Sequence, residues 1–274
     1  MTNQTLSAEK STDQPIREVD SSATPCSPVV VSFGGGTNSA AMLIEMARRE
    51  VIPDLILFAD TGGELPATYQ FVNDFSEWLG REGMPGIVTV SKDGPTLEED
   101  CHNRQTLPSV AFGFKSCSDH YKLRPQNKYL KTWQPAIDAW SAAKQVIKLI
   151  GYDTGEAHRV KDYSDKKYIT EYPLVRWGWN RKKCAEVVAS AGFSPTKSAC
   201  YFCPNHKKGE VLRMARENPS KFAKAIEIER GAVAAKTVSG LGRSWKWEDL
   251  VNADKMQMKL FDDVPDPMPC GCFD

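Results

Sequence analysis

Val29-Val30-Val31-Ser32-Phe33-Gly34-Gly35-Gly36-Thr37-Asn38-Ser39 is the stretch that decides how this chain reads. The β-branched run at 29–31 has the pattern of a short buried strand. Three glycines follow, and an amphipathic stretch over 38–49 opens on Asn38, a residue type that caps helix N-termini. Strand, glycine turn and helix start in succession predict a phosphate site. Backbone N–H groups and the positive end of a helix dipole converge there. The stretch is not Gly-x-x-x-x-Gly-Lys-Ser/Thr, nor Gly-x-Gly-x-x-Gly with an acid on the next strand tip. Three glycines after a strand also make a tight turn with no ligand at all.

Outward from that stretch, strand and helix patterns alternate. Strands are predicted over 29–33, 55–59, 87–90 and 146–150. Helices are predicted over 38–49, 66–79, 124–132 and 135–144, with Pro66 suited to a first turn. The alternation predicts an α/β fold, a doubly wound, Rossmann-like parallel sheet with helices on both faces. Such sheets bind ligands beyond the carboxyl ends of their strands. Three polar clusters fall at those ends: 32–39, Asp60-Thr61-Gly62-Gly63-Glu64, and 151–159 from Gly151 to Arg159. From about residue 170 the texture changes to an aromatic, turn-rich stretch and then to helical patterns over 181–191, 207–217 and 220–235. The last forty residues or so show little periodicity. The expected organisation is a disordered tail over 1–27, an adenine-nucleotide-binding α/β domain over 28–170, and a mainly helical, Cys-containing subdomain with its tail over 171–274.

A chain of 274 residues, 41% of them hydrophobic, can bury one sizeable core and a smaller unit. Its 35 basic and 35 acidic residues cancel, so any nucleic-acid partner would need a local patch. The clearest basic concentration is Arg181-Lys182-Lys183 with Lys207-Lys208, and such runs are usually solvated helix faces. No apolar run reaches the ~18–20 residues that span a bilayer. The polar N-terminus has no signal-peptide core, and the expected compartment is the cytoplasm, with no membrane partner. Trp177 and Trp179 have the spacing of core residues or of a base-stacking pair. His158 reads as a surface residue at a helix start.

Eight cysteines in such a chain point to metal or redox use rather than a disulfide framework. Cys200-Tyr201-Phe202-Cys203-Pro204 holds a Cys-x-x-Cys knuckle, whose thiolates suit zinc or an iron–sulfur centre, or form a redox pair. Further ligands must come from elsewhere. Cys117 and the terminal Cys270-Gly271-Cys272 are candidates, with His120 or His206 able to complete a zinc site. Cys184, inside a helical pattern, reads as a packing or surface residue.

Four segments, in order, resemble the phosphoadenosine/adenosine phosphosulfate reductase family within the PP-loop ATP-pyrophosphatase superfamily. They are the glycine loop, the stretch from Phe58 to Tyr69, the stretch from Cys117 to Pro125, and Gly151 to Arg159 followed by Tyr172-Pro173-Leu174-Val175-Arg176-Trp177. Gly34 stands for the family's first loop serine and Asn38 for its aspartate, whose charge Asn cannot supply. The resemblance implies an adenine-nucleotide site built from Ser32, Gly34, Gly35, Gly36, Thr37, Asn38, Ser39, Asp60, Thr61, Gly62, Gly151 and Arg159. It also implies a [4Fe–4S] cluster on Cys117, Cys200 and Cys203. Ser116 replaces one cysteine of the family's pair, which leaves the fourth iron open or ligated by Cys270 or Cys272.

Two chemistries share this frame. In one, ATP and Mg²⁺ bind, with Asp60 a metal ligand and Arg159 and Lys161 on the phosphates. An acceptor is adenylated, pyrophosphate leaves, and sulfur from a donor displaces AMP; relatives act on tRNA or DNA. In the other, a phosphoadenylyl or adenylyl sulfate (PAPS or APS) binds, Cys270 or Cys272 attacks its sulfur, and a thiol reductant completes the cycle. A third reading is a non-catalytic nucleotide module with structural zinc. Two central loop glycines and Ser39 favour the first.

Overall fold

The computed structural model describes residues 27–262, apart from 109, 112–113, 163, 195–197 and 236–237. The apolar runs pair as five parallel strands. These are β1 (Val29–Phe33), β2 (Leu55–Asp60), β3 (Ile87–Ser91), and, after a two-stranded antiparallel hairpin of β4 (Val110–Ala111) and β5 (Phe114–Lys115), β6 (Val146–Ile150) and β7 (Tyr168–Glu171). The order across the sheet is β3-β2-β1-β6-β7, with Val30 opposite Leu55 on one side and Lys148 on the other. The chain winds outward from β1 to β3, then returns to the other side of β1. The point of reversal therefore lies between β1 and β6, where open parallel sheets bind ligands.

Side chains alternate across the sheet. Val31, Phe33, Ile56 and Phe58 pack with α1 (Thr37–Arg48), α2 (Pro66–Arg81) and, from much later in the chain, Cys184, Val187 and Val188. Val30, Leu55, Leu57 and Val146 face the opposite layer with Leu130 and Ala136. The fold is thus the doubly wound α/β sheet that the alternation predicted. A second core gathers α3 (Leu97–Asn103), the segment after the hairpin and the C-terminal helices. That segment runs through α4 (Ser116–Ser118), a π-helical turn (Asp119–Leu123) and α5 (Arg124–Leu130), and α6 (Gln134–Ser141) follows. A 3₁₀ turn (Thr154–Arg159) leaves β6. Beyond β7 come α7 (Pro173–Arg176), α8 (Arg181–Ser190), α9 (Lys208–Glu217), α10 (Pro219–Ala234) and α11 (Trp247–Asp262).

Several elements differ from the sequence reading. The first helix begins at Thr37 with Gly36 as its N-cap, so Asn38 lies inside it rather than capping it. α3 is absent from that reading although Thr96 and Glu99 form a complete capping box at its start. The region expected to lack periodicity holds the 16-residue α11. Cys184 is fully buried beneath α1, which makes it a packing residue. Among the described residues no helix is long and apolar enough to cross a membrane.

Candidate functional site: the glycine loop and the thiol cluster

The loop after β1 turns through Gly35, whose φ is +69°, and a Cβ there would lie 3.1 Å from Phe58 and 3.3 Å from Thr68. Glycine meets both demands. Gly36 caps α1 with no side-chain bond, so the first N–H groups of α1 have no side-chain acceptor from the cap. Ser39 Oγ accepts the Gly34 N–H at 3.1 Å and donates to the Gly36 carbonyl at 3.2 Å, so this hydroxyl ties the loop to itself. Thr37, Asn38 and Ser39 are all buried. Ser32 donates to Gln126 at 2.9 Å and is committed to α5. A Cβ on Gly151 would lie 2.9 Å from both the Cα and the nitrogen of Ser39, so only glycine lets the end of β6 pass the start of α1.

Asn38 sits at the centre of a charged network. Its Nδ2 donates to Asp153 at 2.9 Å and to Glu156 at 3.0 Å, while its Oδ1 accepts from Arg181 at 2.9 Å. An amide can serve two carboxylates and a guanidinium at once, whereas an aspartate here would set three carboxylates together. The departure from the family's aspartate is therefore matched by this chain's own surroundings. Arg159 is held by Glu156 and by the Tyr152 hydroxyl at 3.2 Å, and its guanidinium stacks 4.2 Å from the Tyr152 ring centre. Arg181, part of the expected basic patch, faces the loop through Asn38 instead. His158 is exposed, while Trp177 and Trp179 pack on each other, with Arg49 over Trp177 at 4.7 Å.

The second wall is the turn after β2. Asp60 Oδ1 accepts both the Gly62 N–H and the Tyr69 hydroxyl at 2.8 Å. Gly62 has a φ of +73°. The same turn is clasped to the cysteine knuckle. Thr61 Oγ1 lies 3.1 Å from Cys200 Sγ, Tyr201 N–H donates to the Gly63 carbonyl at 2.8 Å, and a Cβ on Gly63 would strike the Phe202 ring. On the approach to the knuckle, Ser198 donates to the Gly34 carbonyl. Glu64 is fully buried and takes the Lys122 ammonium at 3.4 Å, and its Oε2 has no hydrogen-bond partner among the described residues. Burial pushes the Glu64 carboxyl up, against the pull of Lys122. Burial pulls the Lys122 pKa down, but Glu64 and then Cys200 hold it above the ordinary lysine value.

Cys200 is buried and Cys117 and Cys203 are partly so, all in the second core. Burial pushes the Cys200 thiol up to about 12, with Lys122 pulling it back; burial and then Cys203 raise Cys117. Among the described residues, no three His, Cys, Asp or Glu side chains are grouped to hold a metal ion. His206 spends Nε2 on the Cys200 carbonyl at 3.1 Å, and His120 is exposed beside Asp119. Cys270 and Cys272 lie outside the described residues.

Glu64, Tyr69, Asp153, Arg181 and Ser198 were not singled out as site residues by sequence. Glu64 and Tyr69 fall inside a quoted motif and Asp153 at a predicted strand end, signals that could have found them. Arg181 and Ser198 reach the loop only through the tertiary fold.

Residues 28–142 match the family model described as the phosphoadenosine phosphosulfate reductase domain. Two uncharacterized proteins of Methanocaldococcus jannaschii are similar. One is 25% identical over 235 residues and the other 24% over 249, covering 81% and 84% of this chain but 46% and 54% of their own lengths. The chain thus spans about half the length of these curated relatives. Among solved structures, the phosphoadenylyl-sulfate (PAPS) reductase of Candida auris in its phosphate complex aligns with a TM-score of 0.41 at 15% identity. The alignment covers 61% of this chain and 74% of that one.

Proposed function

We propose that this chain, whose residues 28–142 match the phosphoadenosine phosphosulfate reductase domain model, is a PP-loop enzyme that binds ATP, adenylates an acceptor with release of pyrophosphate, and passes sulfur to that acceptor with release of AMP. The observation that carries this reading is the start of α1, where Gly36 supplies no side-chain cap between the end walls of β2 and β6. Pyrophosphate is the leaving group that such a cradle of N–H groups stabilises as its charge develops.

In this reading the acceptor attacks the α-phosphorus and the bond to the bridging oxygen breaks. The N–H groups at the head of α1 hold the departing pyrophosphate. Arg159, oriented by Glu156 and Tyr152, neutralises phosphate charge. Mg²⁺ would supply charge neutralisation between the phosphates, and Asp60, whose Oδ1 already takes two hydrogen bonds, would offer Oδ2 to it. An iron–sulfur centre on Cys117, Cys200 and Cys203 would supply the sulfur-handling chemistry. Thr61 and the Gly63–Tyr201 bond would tie such a centre to the turn after β2. Tail thiols Cys270 or Cys272 would serve as further sulfur carriers, and a tRNA or DNA acceptor fits the chemistry.

The test is a titration of anaerobically purified full-length protein. A non-hydrolysable ATP analogue with Mg²⁺ is expected to bind more tightly than adenosine 3′,5′-bisphosphate, and Arg159→Ala to weaken it about tenfold, the loss of one charge-assisted contact. Tighter binding of the bisphosphate would replace this reading with that of a phosphosulfate reductase. Binding of the ATP analogue with no pyrophosphate release from ATP under any acceptor would favour a non-catalytic module.

A further inference from the structure

A cavity of about 720 Å³ opens beside the cysteine knuckle, a volume within the range of small-molecule sites. Its walls come from α3, from the stretch around Cys117 and from the loop that leads into α11. Cys117 and Pro204, the neighbour of Cys203, both line it, and none of the glycine-loop residues does. Two arginines line it from different elements, Arg104 at the end of α3 and Arg243 in the loop before α11. Asp100 holds Arg104 at 3.4 Å, and the Asn205 side chain holds Arg243. Arg243 has a φ of +69°, a backbone state that a non-glycine residue keeps only where its surroundings impose it. Tyr121, 3% exposed, also lines the cavity, and its hydroxyl has no hydrogen-bond partner among the described residues. Burial and then Asp100 raise the Tyr121 pKa, so the hydroxyl keeps its proton.

Among the residues that line this cavity Asp100 is the one acid, and Arg104 already engages it. The arginines, His120 and the Tyr121 hydroxyl therefore match a ligand rich in acceptors, an oxyanion. Leu97 and Leu107 on the same walls suit an organic body rather than a bare ion. Arg104, Arg243 and His120 are exposed, whereas Tyr121 is buried and Cys117 half-buried. A ligand held by its charge at that rim turns its other end toward the thiol. The sulfur acceptor has to reach the α-phosphorus at the glycine loop, which contributes nothing to this cavity. We propose that the occupant is instead the sulfur donor, a small organic persulfide whose anionic group lies at Arg104 and Arg243 and whose outer sulfur points at Cys117. The proposal rests on the sulfur-transfer reading above and names the class and the place of its donor.

The test is a ligand-observed NMR titration of anaerobically purified full-length protein. The probe is S-methylcysteine, an inert isostere of cysteine persulfide, and the Mg²⁺-bound ATP analogue is titrated in the same samples. Wild-type protein is expected to bind the probe. Arg243→Ala is expected to weaken it about tenfold, the loss of one charge-assisted contact, and Tyr121→Phe to weaken it several-fold. Affinity for the ATP analogue is expected to stay unchanged in both variants. Because Tyr121→Phe removes a hydroxyl with no partner among the described residues, its result stands even where Arg243→Ala folds poorly. No binding of the probe, or equal binding by wild type and both variants, would overturn the donor assignment and leave the ATP reading intact. Tighter binding of inorganic thiosulfate, read as displacement of the probe, would overturn the organic class. Tighter binding of adenosine monophosphate, lost in the same variants, would make the cavity an acceptor site and overturn the assignment. Wild-type protein that binds no ATP analogue would overturn the functional reading and the donor role with it.

Discussion

At the scale of single residues, Asn38 shows how a departure from a motif is compensated nearby. Asn38→Asp removes a donor from Asp153 and Glu156 and adds a third charge beside them. The expected loss is about 1–3 kcal/mol of stability at neutral pH, with weakened nucleotide binding. Exchanging the partner too, as Asn38→Asp/Asp153→Asn, should recover part of it in chemical denaturation. Lys148 offers a second case. It lies in the sheet, 6% exposed, bonded to Asn127 and 3.9 Å over the Tyr168 ring. Burial lowers its pKa to about 8, against the pull of Asp165. Between about 8 and the ordinary lysine value of about 10.4 the unfolded chain binds the extra proton, so stability rises with pH there. The wild-type protein should therefore gain about 3 kcal/mol relative to Lys148→Met across that window, and a flat difference would contradict the buried charge. Neither environment was legible in sequence. Lys148 lies in a predicted strand with nothing local to mark its surroundings, and the carboxylates that explain Asn38 lie more than a hundred residues away.

Helices and strands were legible where their signals were local. The apolar runs of β1, β2 and β6 and the prolines opening α2 and α10 stand in the sequence itself. The capping box of α3 was equally local and was passed over, since the helix is only seven residues long. α11 is different, because its start is held from another element. The buried carboxylate of Glu229 on α10 accepts N–H bonds from Leu241 at 2.7 Å, Trp247 at 2.9 Å and Glu248 at 3.2 Å. No window around residue 247 contains that cap. Glu229→Gln keeps the shape and loses the charge, and is expected to cost about 1–2 kcal/mol; Glu229→Ala strands three donors and should cost more. Hydrogen exchange at α11 is the measurement, with amides beyond residue 247 exchanging faster in both variants. Unchanged exchange there would mean the helix stands on its apolar contacts alone.

Across the whole molecule, two cores meet where the turn after β2 grips the cysteine knuckle. The sheet and its glycine loop could be drawn from the alternation of patterns. The second core could not, since it gathers α3 from the middle of the chain with helices from its end. If nucleotide and cluster occupy the two sides, the Mg²⁺-bound ATP analogue should slow iron loss to a chelator. Thr61→Val, which removes the hydroxyl on Cys200, should shrink that protection, read as the rate of iron release with and without the analogue. The Thr61–Cys200 contact and the Gly63–Tyr201 bond also carry a consequence about order. Free energy around a closed cycle of two ligands does not depend on which arrives first. Whatever factor the loaded thiol site imposes on the equilibrium affinity for nucleotide, the nucleotide must impose on the thiol site. Where that factor differs from one, the state of the thiol site would be read at the glycine loop as a shifted dissociation constant for nucleotide.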